Sequence, residues 1–282
     1  MKVAFSDHFD PVSAHYARHR PTYPAELFTW LASLCREHRQ AWDCGAGSGQ
    51  ASLALTAHFE RVLATDASAG QIGKAMRHPG IVYRVAPAEE SGLETASCDL
   101  VIVAQALHWF DPERFYAEVK RVLKPGGVIA VWCYGILRVA GEEVGREVER
   151  FYHRVVGPYW PPERHHVETG YRELPFPFDP IGEVPEFCMA QSWCLAELMG
   201  YLRSWSATGA CLKATGQDPV VALEQRLATM WGEGERRVSW PLMVKAGLNT
   251  RKLPSVQVDG GSEGIIPPDG SRAAPWDSSF CR

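Results

Sequence analysis

Short apolar runs alternate with amphipathic stretches along the chain up to residue 137. The runs have the length and the β-branched content of strands, and the stretches between them place apolar residues at helical spacing. The predicted strands are 41–44, 62–65, 81–85, 99–104 and 128–132, and the predicted helices are 24–38, 49–58, 69–77 and 112–123. This alternation is typical of a parallel sheet covered by helices on both faces. We therefore predict a Rossmann-like, doubly wound α/β fold with a mostly parallel, seven-stranded sheet.

The pattern becomes less regular after Gly135. The segment 157–185 is rich in proline and aromatic residues and too apolar for disorder, so we predict an ordered lid there. Additional helices are predicted in the C-terminal half over 142–156, 195–206 and 218–231, with strands over 187–194 and 236–246 as the last two of the sheet.

One domain is predicted over residues 1–250, with an N-terminal cap segment at 5–24, a ligand-binding core at 39–135, and the lid and last strands at 136–250. Residues 251–282 hold many prolines and glycines without a period, which predicts a disordered or non-native tail.

Composition narrows the functional classes. The chain has 29 Lys and Arg, 33 Asp and Glu, and a net charge of −4, without a basic run. Such a chain lacks the basic stripe of a nucleic-acid partner. No apolar run approaches the ~20 residues of a membrane helix, and the N-terminus lacks the apolar core of a signal peptide. The 8 cysteines form no Cys-x-x-Cys pair and are interpreted as mostly buried thiols, so we expect a cytoplasmic protein that neither binds nucleic acid nor enters a membrane.

A glycine-rich loop carries the first chemical signal. The residues Asp-Cys-Gly-Ala-Gly-Ser-Gly at 43–49 lie between the first strand and the next helix. Glycines allow a sharp turn there and a close approach of a ligand to a helix N-terminus. In a dinucleotide-binding fingerprint, two residues separate the second glycine from the third. Here only Ser48 separates Gly47 from Gly49. The spacing disfavours a nicotinamide cofactor, and a tight turn without a ligand remains an alternative.

Polar residues follow the next strands at the edge where open α/β sheets bind ligands. Asp66 closes the second strand, where a carboxylate can accept hydrogen bonds from both ribose hydroxyls. Its alternative role is to cap the helix 69–77. Ala88-Glu89 follow the third strand, and Gln105-Ala106-Leu107-His108-Trp109 end the fourth.

These motifs, in this order and followed by Leu-Lys-Pro-Gly-Gly at 123–127, resemble the class I S-adenosylmethionine-dependent methyltransferases. Within that family the sequence is most similar to the trans-aconitate-methyltransferase-like branch. The residues that carry the branch resemblance are Phe9-Asp10, Tyr16, Arg20-Pro21, Tyr23-Pro24, the run 105–111, Trp205-Ser206 and Trp240-Pro241-Leu242.

The resemblance implies S-adenosyl-L-methionine as the cofactor. It would place Asp43, Gly45, Ala46, Gly47 and Gln50 at the methionine end, Asp66 at the ribose, Ala67, Ala88 and Glu89 around the adenine, and Gln105 and Ala106 near the sulfonium. The acceptor would lie against Tyr16, Arg20, Tyr23, His108, Trp109 and Trp160.

The predicted function is methyl transfer to a small molecule. Arg18 and Arg20 suit a carboxylate, which suggests an organic acid methylated on a carboxylate oxygen. The alternatives are that Arg20 binds the carboxylate of the cofactor itself and that both arginines are solvated. His108 is the candidate base for a hydroxyl or amine acceptor, and its alternative role is to shape the pocket without transferring a proton.

The sequence leaves two alternative functions open and does not indicate a metal site. The alternatives are a methyltransferase-like nucleotide-binding protein without turnover and a nicotinamide-dependent oxidoreductase. We predict no metal site. The pair His15 and His19 lacks the intervening glutamate of a zinc motif, and the adjacent His165 and His166 would point apart.

Overall fold

The computed structural model describes residues 21–250. Tyr16, Arg18, Arg20, the pair His15 and His19, most of the cap segment 5–24 and the tail 251–282 lie outside the described residues.

A parallel sheet forms the first half of the described chain. Its strands are β1 (Gln40–Cys44), β2 (Arg61–Asp66), β3 (Ile81–Val85), β4 (Cys98–Ala104) and β5 (Leu123–Tyr134), in the order β3-β2-β1-β4-β5. The helices between them are α1 (Ala25–Ser33), α2 (Gln50–Leu55), α3 (Ala69–Lys74) and α4 (Pro112–Val122). All five predicted strands are confirmed, and the strand order reverses between β1 and β4. An open sheet binds its ligands at this switch point.

Strand β4 shows why the sheet is covered on both faces, since all but its last residue are buried. Leu100 and Ile102 belong to the apolar cluster that includes α1 and α2. Val101 and Val103 face the other way and pack with Phe115 of α4. Because successive side chains in a strand point to opposite faces, a continuously apolar strand requires helices on both sides.

Strand β9 (Arg236–Leu248) completes the sheet and runs antiparallel to its neighbours. On one side it pairs with β5 and then with β6 (Arg138–Val139), and on the other with β7 (Asp179–Pro180) and β8 (Cys188–Trp193). Val238, for example, lies between Val139 and Gln191. The nine strand segments of the described chain thus fill seven positions across the sheet. The two predicted C-terminal strands are confirmed, with slightly different ends.

The C-terminal half adds a second helical layer. Its helices are α5 (Glu142–Arg150), which continues as a π-helical turn (Phe151–Val155), then α6 (Arg164–Glu168), α7 (Leu195–Arg203), α8 (Ser206–Thr215) and α9 (Pro219–Trp231). The apolar residues of α5, α7, α8 and α9 form a separate core with β6, β8 and the first half of β9, whereas Val167 of α6 packs with the residues of β4 and α4. The segment 157–185 contains α6 and β7. Helix α8 is missing from the sequence prediction because its residues form no clear apolar stripe.

Several predicted helices are too long. Helix 24–38 ends at Ser33, where a ring nitrogen of His38 lies 2.9 Å from the Ala32 carbonyl oxygen and satisfies a group of the last turn. Helix 69–77 ends at Lys74 because Ala75 adopts an extended conformation, with ψ of 142°. Helix 49–58 ends at Leu55, and the predicted helix 195–206 stops at Arg203.

The structure also tests the predictions on the cysteines and on membrane-spanning helices. Of the seven cysteines in the described residues, all are free thiols and five are buried, whereas Cys188 is exposed and Cys194 is partly exposed. The interpretation of the cysteines as mostly buried thiols is confirmed for the described residues, and Cys188 is the exposed exception. Within residues 21–250, no helix combines the length and the hydropathy that a membrane crossing requires.

Candidate functional site

The glycine loop after β1 is attached to β2 by backbone hydrogen bonds. The amides of Gly45 and Ala46 donate to the Thr65 carbonyl oxygen at 2.8 and 2.9 Å. Gly45 has a φ of +72°, and a Cβ atom there would lie 2.6 Å from Cβ of Ala106. Glycine is required at this position because the turn after β4 approaches the loop too closely for a side chain.

Gly47 has different surroundings. Its φ is +56°, and the nearest protein atom to a Cβ atom would be Oε1 of Gln71, at 4.0 Å. The protein therefore leaves open space beside Gly47, where the backbone can approach a ligand.

Asp66 connects this loop to the end of β2. Its Oδ2 atom accepts a hydrogen bond from the Gly47 amide, and its Oδ1 atom accepts one from the Ser68 amide, both at 2.8 Å. The residue that caps α3 is Ser68, whose hydroxyl accepts from the Gln71 amide. The alternative that Asp66 caps this helix is wrong. Each carboxylate oxygen retains a second acceptor site, as binding of ribose hydroxyls requires.

Asp43 is fully buried at the end of β1. Its Oδ2 atom accepts a hydrogen bond of 2.5 Å from Ser52, while its Oδ1 atom has no partner among the described residues. Burial raises the pKa of Asp43 to about 7. Native proteins rarely leave a buried carboxylate oxygen without a donor, so a ligand that brings a hydrogen-bond donor fits here.

Gln50 and Glu89 link other segments around the loop. The Gln50 side chain donates to the Pro21 carbonyl oxygen at 2.9 Å, which holds the beginning of the described chain near the loop. Glu89 accepts from the Asp111 amide at 2.9 Å and so connects the end of β3 to the start of α4. Ala88 is buried and Ala67 is exposed.

Gln105 holds the ends of β4 and β5 together. Its side-chain amide donates to the Tyr134 carbonyl oxygen at 2.9 Å and accepts from the Tyr134 amide at 3.3 Å. Its φ is +58°, which is unusual for a residue other than glycine and is often found at functional sites. This conformation turns the chain from β4 directly into Ala106, beside Gly45.

His108 follows on a 3₁₀ turn (Leu107–Trp109). Its Nδ1 atom lies 3.0 Å from the hydroxyl of Tyr171. Burial, with a smaller contribution from the nearby charges of Arg164 and His166, lowers the pKa of His108 to about 3. The imidazole is therefore neutral at physiological pH, and it is a weak base. Trp109 lies beside it, with the ring centres 4.7 Å apart, and is 40% exposed.

The segment 160–171 covers this part of the sheet edge. Helix α6 packs against β5 and against the 3₁₀ turn of His108, and the Val167 carbonyl oxygen lies 3.7 Å from Sγ of Cys133. Trp160 contacts the guanidinium of Arg164, which lies 4.7 Å from its ring centre. The Tyr23 ring contacts Trp132 at a centroid distance of 5.4 Å.

The structure therefore brings the described cofactor candidates to the carboxyl ends of β1 to β4, with His108 and Trp109 directly after β4. Trp160 packs on Tyr152, Arg164 and Trp205. The sequence did not place Tyr171, Arg164 or His166 near His108, because these residues lie far along the chain from it, and His166 was considered only as a metal ligand. Among residues 21–250, no group of three His, Cys, Asp or Glu side chains could hold a metal ion.

Comparisons with known proteins agree with this geometry. A family model described as a methyltransferase domain matches residues 42–131. A Dictyostelium discoideum protein named as a methyltransferase is 35% identical over 226 residues, which cover 79% of this chain and 86% of that protein. An uncharacterized methyltransferase of Mycobacterium tuberculosis is 38% identical over 55% of this chain and 68% of its own length.

A solved structure from Anaeromyxobacter dehalogenans, named as a type II methyltransferase, is also similar. The two structures superimpose with a TM-score of 0.77 at 48% sequence identity. The match covers 82% of this chain and 98% of the Anaeromyxobacter chain.

The chain belongs to the class I S-adenosylmethionine-dependent methyltransferases, and its cofactor is S-adenosylmethionine. The open space at Gly47, the carboxylate of Asp66 and the unpartnered oxygen of Asp43 fit this cofactor. Membership of this family excludes the alternative of a nicotinamide-dependent oxidoreductase. No comparison confirms the trans-aconitate-like branch.

Proposed function

We propose that this protein methylates a small organic acid on a carboxylate oxygen. The observation that carries the proposal is the state of His108, which is partly buried, lies 3.0 Å from the Tyr171 hydroxyl and has a pKa of about 3. A hydroxyl or ammonium acceptor must lose a proton to react, whereas a carboxylate is already ionised at neutral pH. A site whose candidate base is this weak suits an acceptor that needs no base.

The cofactor supplies a methyl group that is already activated on a sulfonium. The protein then has to align the two reactants and exclude water. We assign the cofactor to Asp43, Gly45, Ala46, Gly47, Gln50, Asp66, Ala67, Ala88, Glu89, Gln105 and Ala106.

The acceptor is assigned to the far side of β4, against Tyr23, His108, Trp109 and Trp160. Trp160 packs on Tyr152 and Trp205, which supports the exclusion of water on its side of the site. His108 then orients the acceptor without taking a proton. Tyr16 and Arg20 stay predictions for the acceptor.

Three further properties also stay predictions: a small-molecule acceptor, no nucleic-acid partner and a cytoplasmic location.

A protein that binds the cofactor without turnover is the competing function. Turnover separates the two, because only an active enzyme converts S-adenosylmethionine to S-adenosylhomocysteine when an acceptor is added.

The experiment combines binding and turnover. Titration calorimetry with S-adenosylhomocysteine and with NAD should show binding of the first alone. Purified protein is then incubated with methyl-labelled S-adenosylmethionine and a panel of carboxylic acids, phenols and amines. A methyl ester releases labelled methanol in mild alkali, whereas methylated phenols and amines do not. Labelled methanol from the acid reactions is the expected result, and label retained only in phenols or amines would contradict it.

A further inference from the structure

Arg164 is partly buried, unlike Arg154 and Arg172, the neighbouring arginines of the chain, which are exposed. Its Nε atom donates to the Tyr152 hydroxyl at 2.8 Å, and its terminal nitrogens have no partner among the described residues. By contrast, Arg203 contacts both Asp218 and Glu224, and Arg121 binds Glu118 through two nitrogens. Arg164 therefore presents a positive charge and free donors that no carboxylate of residues 21–250 satisfies.

The guanidinium is nonetheless held in place. Its centre lies 4.7 Å from the ring centre of Trp160 and 5.6 Å from that of Tyr152. Stacking on two aromatic rings fixes the plane of the guanidinium and reduces the entropy that a ligand would have to remove.

Two more polar atoms near Arg164 are also without partners. Nε1 of Trp160 and Nδ1 of His166 are buried and form no hydrogen bond within residues 21–250. An indole nitrogen is only a donor, and a neutral imidazole can donate from Nδ1. Buried donors of this kind usually have an acceptor in the functional state of a protein.

These groups face the acceptor side of the site. Tyr171, at the C-terminal end of the same segment, contacts His108 through its hydroxyl. Burial raises the pKa of Cys133 at the end of β5 to about 12, and the charge of Arg164 opposes that rise. The same charge acts on His108, so the guanidinium lies within electrostatic reach of both strand ends.

We propose that Arg164, with Nε1 of Trp160 and Nδ1 of His166, binds a carboxylate group of the methyl acceptor. The inference rests on the proposed function and adds the residues that would select an anionic acceptor. The two terminal nitrogens of Arg164 match the two oxygens of a carboxylate, and the indole and imidazole donors provide further hydrogen bonds.

A purely structural role for Arg164, as a clamp between Trp160 and Tyr152, is the competing explanation. Three variants separate the two roles. Arg164→Ala removes the charge and the stacking, Arg164→Lys keeps the charge without the planar fork, and Trp160→Phe keeps an aromatic ring but removes the Nε1 donor. Arg172→Ala is the matched control, because Arg172 is exposed on the same segment and donates only to the Thr169 carbonyl oxygen.

The assay measures ligand binding and does not require a known acceptor. The full-length protein is loaded with S-adenosylhomocysteine and titrated calorimetrically with succinate, maleate and citrate, and with their neutral methyl esters. At least one acid should bind at millimolar concentration, while its ester should not. Arg164→Ala should weaken acid binding about tenfold or more, the usual effect of losing hydrogen bonds to a charged group. Trp160→Phe and Arg164→Lys should weaken it less, and Arg172→Ala should leave it unchanged.

The outcomes are distinguishable. If S-adenosylhomocysteine fails to bind, the proposed function itself is wrong and the inference falls with it. If S-adenosylhomocysteine binds but no acid does, or if acid binding is the same in Arg164→Ala, the cofactor assignment stands and the carboxylate site is wrong. Should Arg164→Ala not fold, Trp160→Phe and Arg164→Lys decide the question, and unchanged acid binding in both would overturn the proposal.

Discussion

Nδ1 of His108 and the hydroxyl of Tyr171 lie 3.0 Å apart, although 63 residues separate them in the sequence. This contact orients the imidazole at the end of β4. Because burial lowers the pKa of His108 to about 3, the contact joins two neutral groups near pH 7.

The first prediction concerns this imidazole. His108→Asn retains a group that can bond to Tyr171, so kcat should fall by less than about tenfold, whereas loss of a general base typically costs ~10²–10⁴. The measurement is the rate of S-adenosylhomocysteine formation across the range from about pH 6 to about pH 8.

Tyr171→Phe is the companion variant, since it removes the contact that His108→Asn keeps, and its kcat should also fall by less than about tenfold because the contact orients the imidazole without moving a proton. The prediction fails if the wild-type rate shows an ionisation near neutrality that disappears in His108→Asn.

The second prediction concerns the buried Asp43. Its folded-state pKa of about 7 lies above the ordinary value, so its contribution to stability is present below about pH 4 and is lost as the pH rises through about 7. Asp43→Asn has no ionisable group at this position, so its stability does not fall in this way as the pH rises. Relative to the wild type, the ligand-free variant should gain about 2–3 kcal/mol of unfolding free energy between about pH 5 and about pH 8.

Urea unfolding at the two pH values measures this difference. The exposed Glu94→Gln serves as a control and should follow the wild type at both. An equal offset between Asp43→Asn and the wild type at both pH values would show that Asp43 is ionised normally.

The third prediction separates ligand binding from local stability at Asp66. Asp66→Ala should weaken S-adenosylhomocysteine binding by about 1–3 kcal/mol, because a charged acceptor of hydrogen bonds is lost. It should also lower the melting temperature, since the amides of Gly47 and Ser68 lose their acceptor.

Ser68→Ala is the matched control. It removes the cap of α3, which costs about 0.5–2 kcal/mol of stability, and leaves the carboxylate in place. Calorimetry should therefore show near-normal cofactor binding for Ser68→Ala. A parallel loss of binding in both variants would indicate that Asp66 acts only through the loop.

The fourth prediction compares two glycines of one loop. Gly45→Ala should destabilise the fold, because its Cβ atom would lie 2.6 Å from that of Ala106 and both atoms are fixed to backbone. Gly47→Ala meets no protein atom closer than 4.0 Å and should lose only about 1 kcal/mol to its positive φ. Its cofactor affinity should nevertheless fall strongly, because the methyl group occupies the ligand's space.

Melting temperature and calorimetry together test this comparison. A Gly47→Ala variant that binds S-adenosylhomocysteine normally would place the cofactor away from this face of the loop.

The sequence alone determined the parallel half of the fold and the cofactor side of the site. Strand β4 is apolar from Leu100 to Ala104, and the glycine loop and Asp66 lie at the ends of strands, so local pattern is sufficient to find them. The carboxyl ends of parallel strands meet at one edge, which is why residues from four strand ends could be grouped without coordinates.

Helix boundaries and the acceptor side were decided by tertiary contacts. Helix α1 ends early because His38 reaches back to Ala32, and α8 is held by packing against its neighbours, without an apolar stripe of its own. The burial that lowers the pKa of His108 comes from segments distant in sequence, among them Arg164 and His166. A pKa depends on which groups and how much solvent surround an atom, and only the folded chain defines those surroundings.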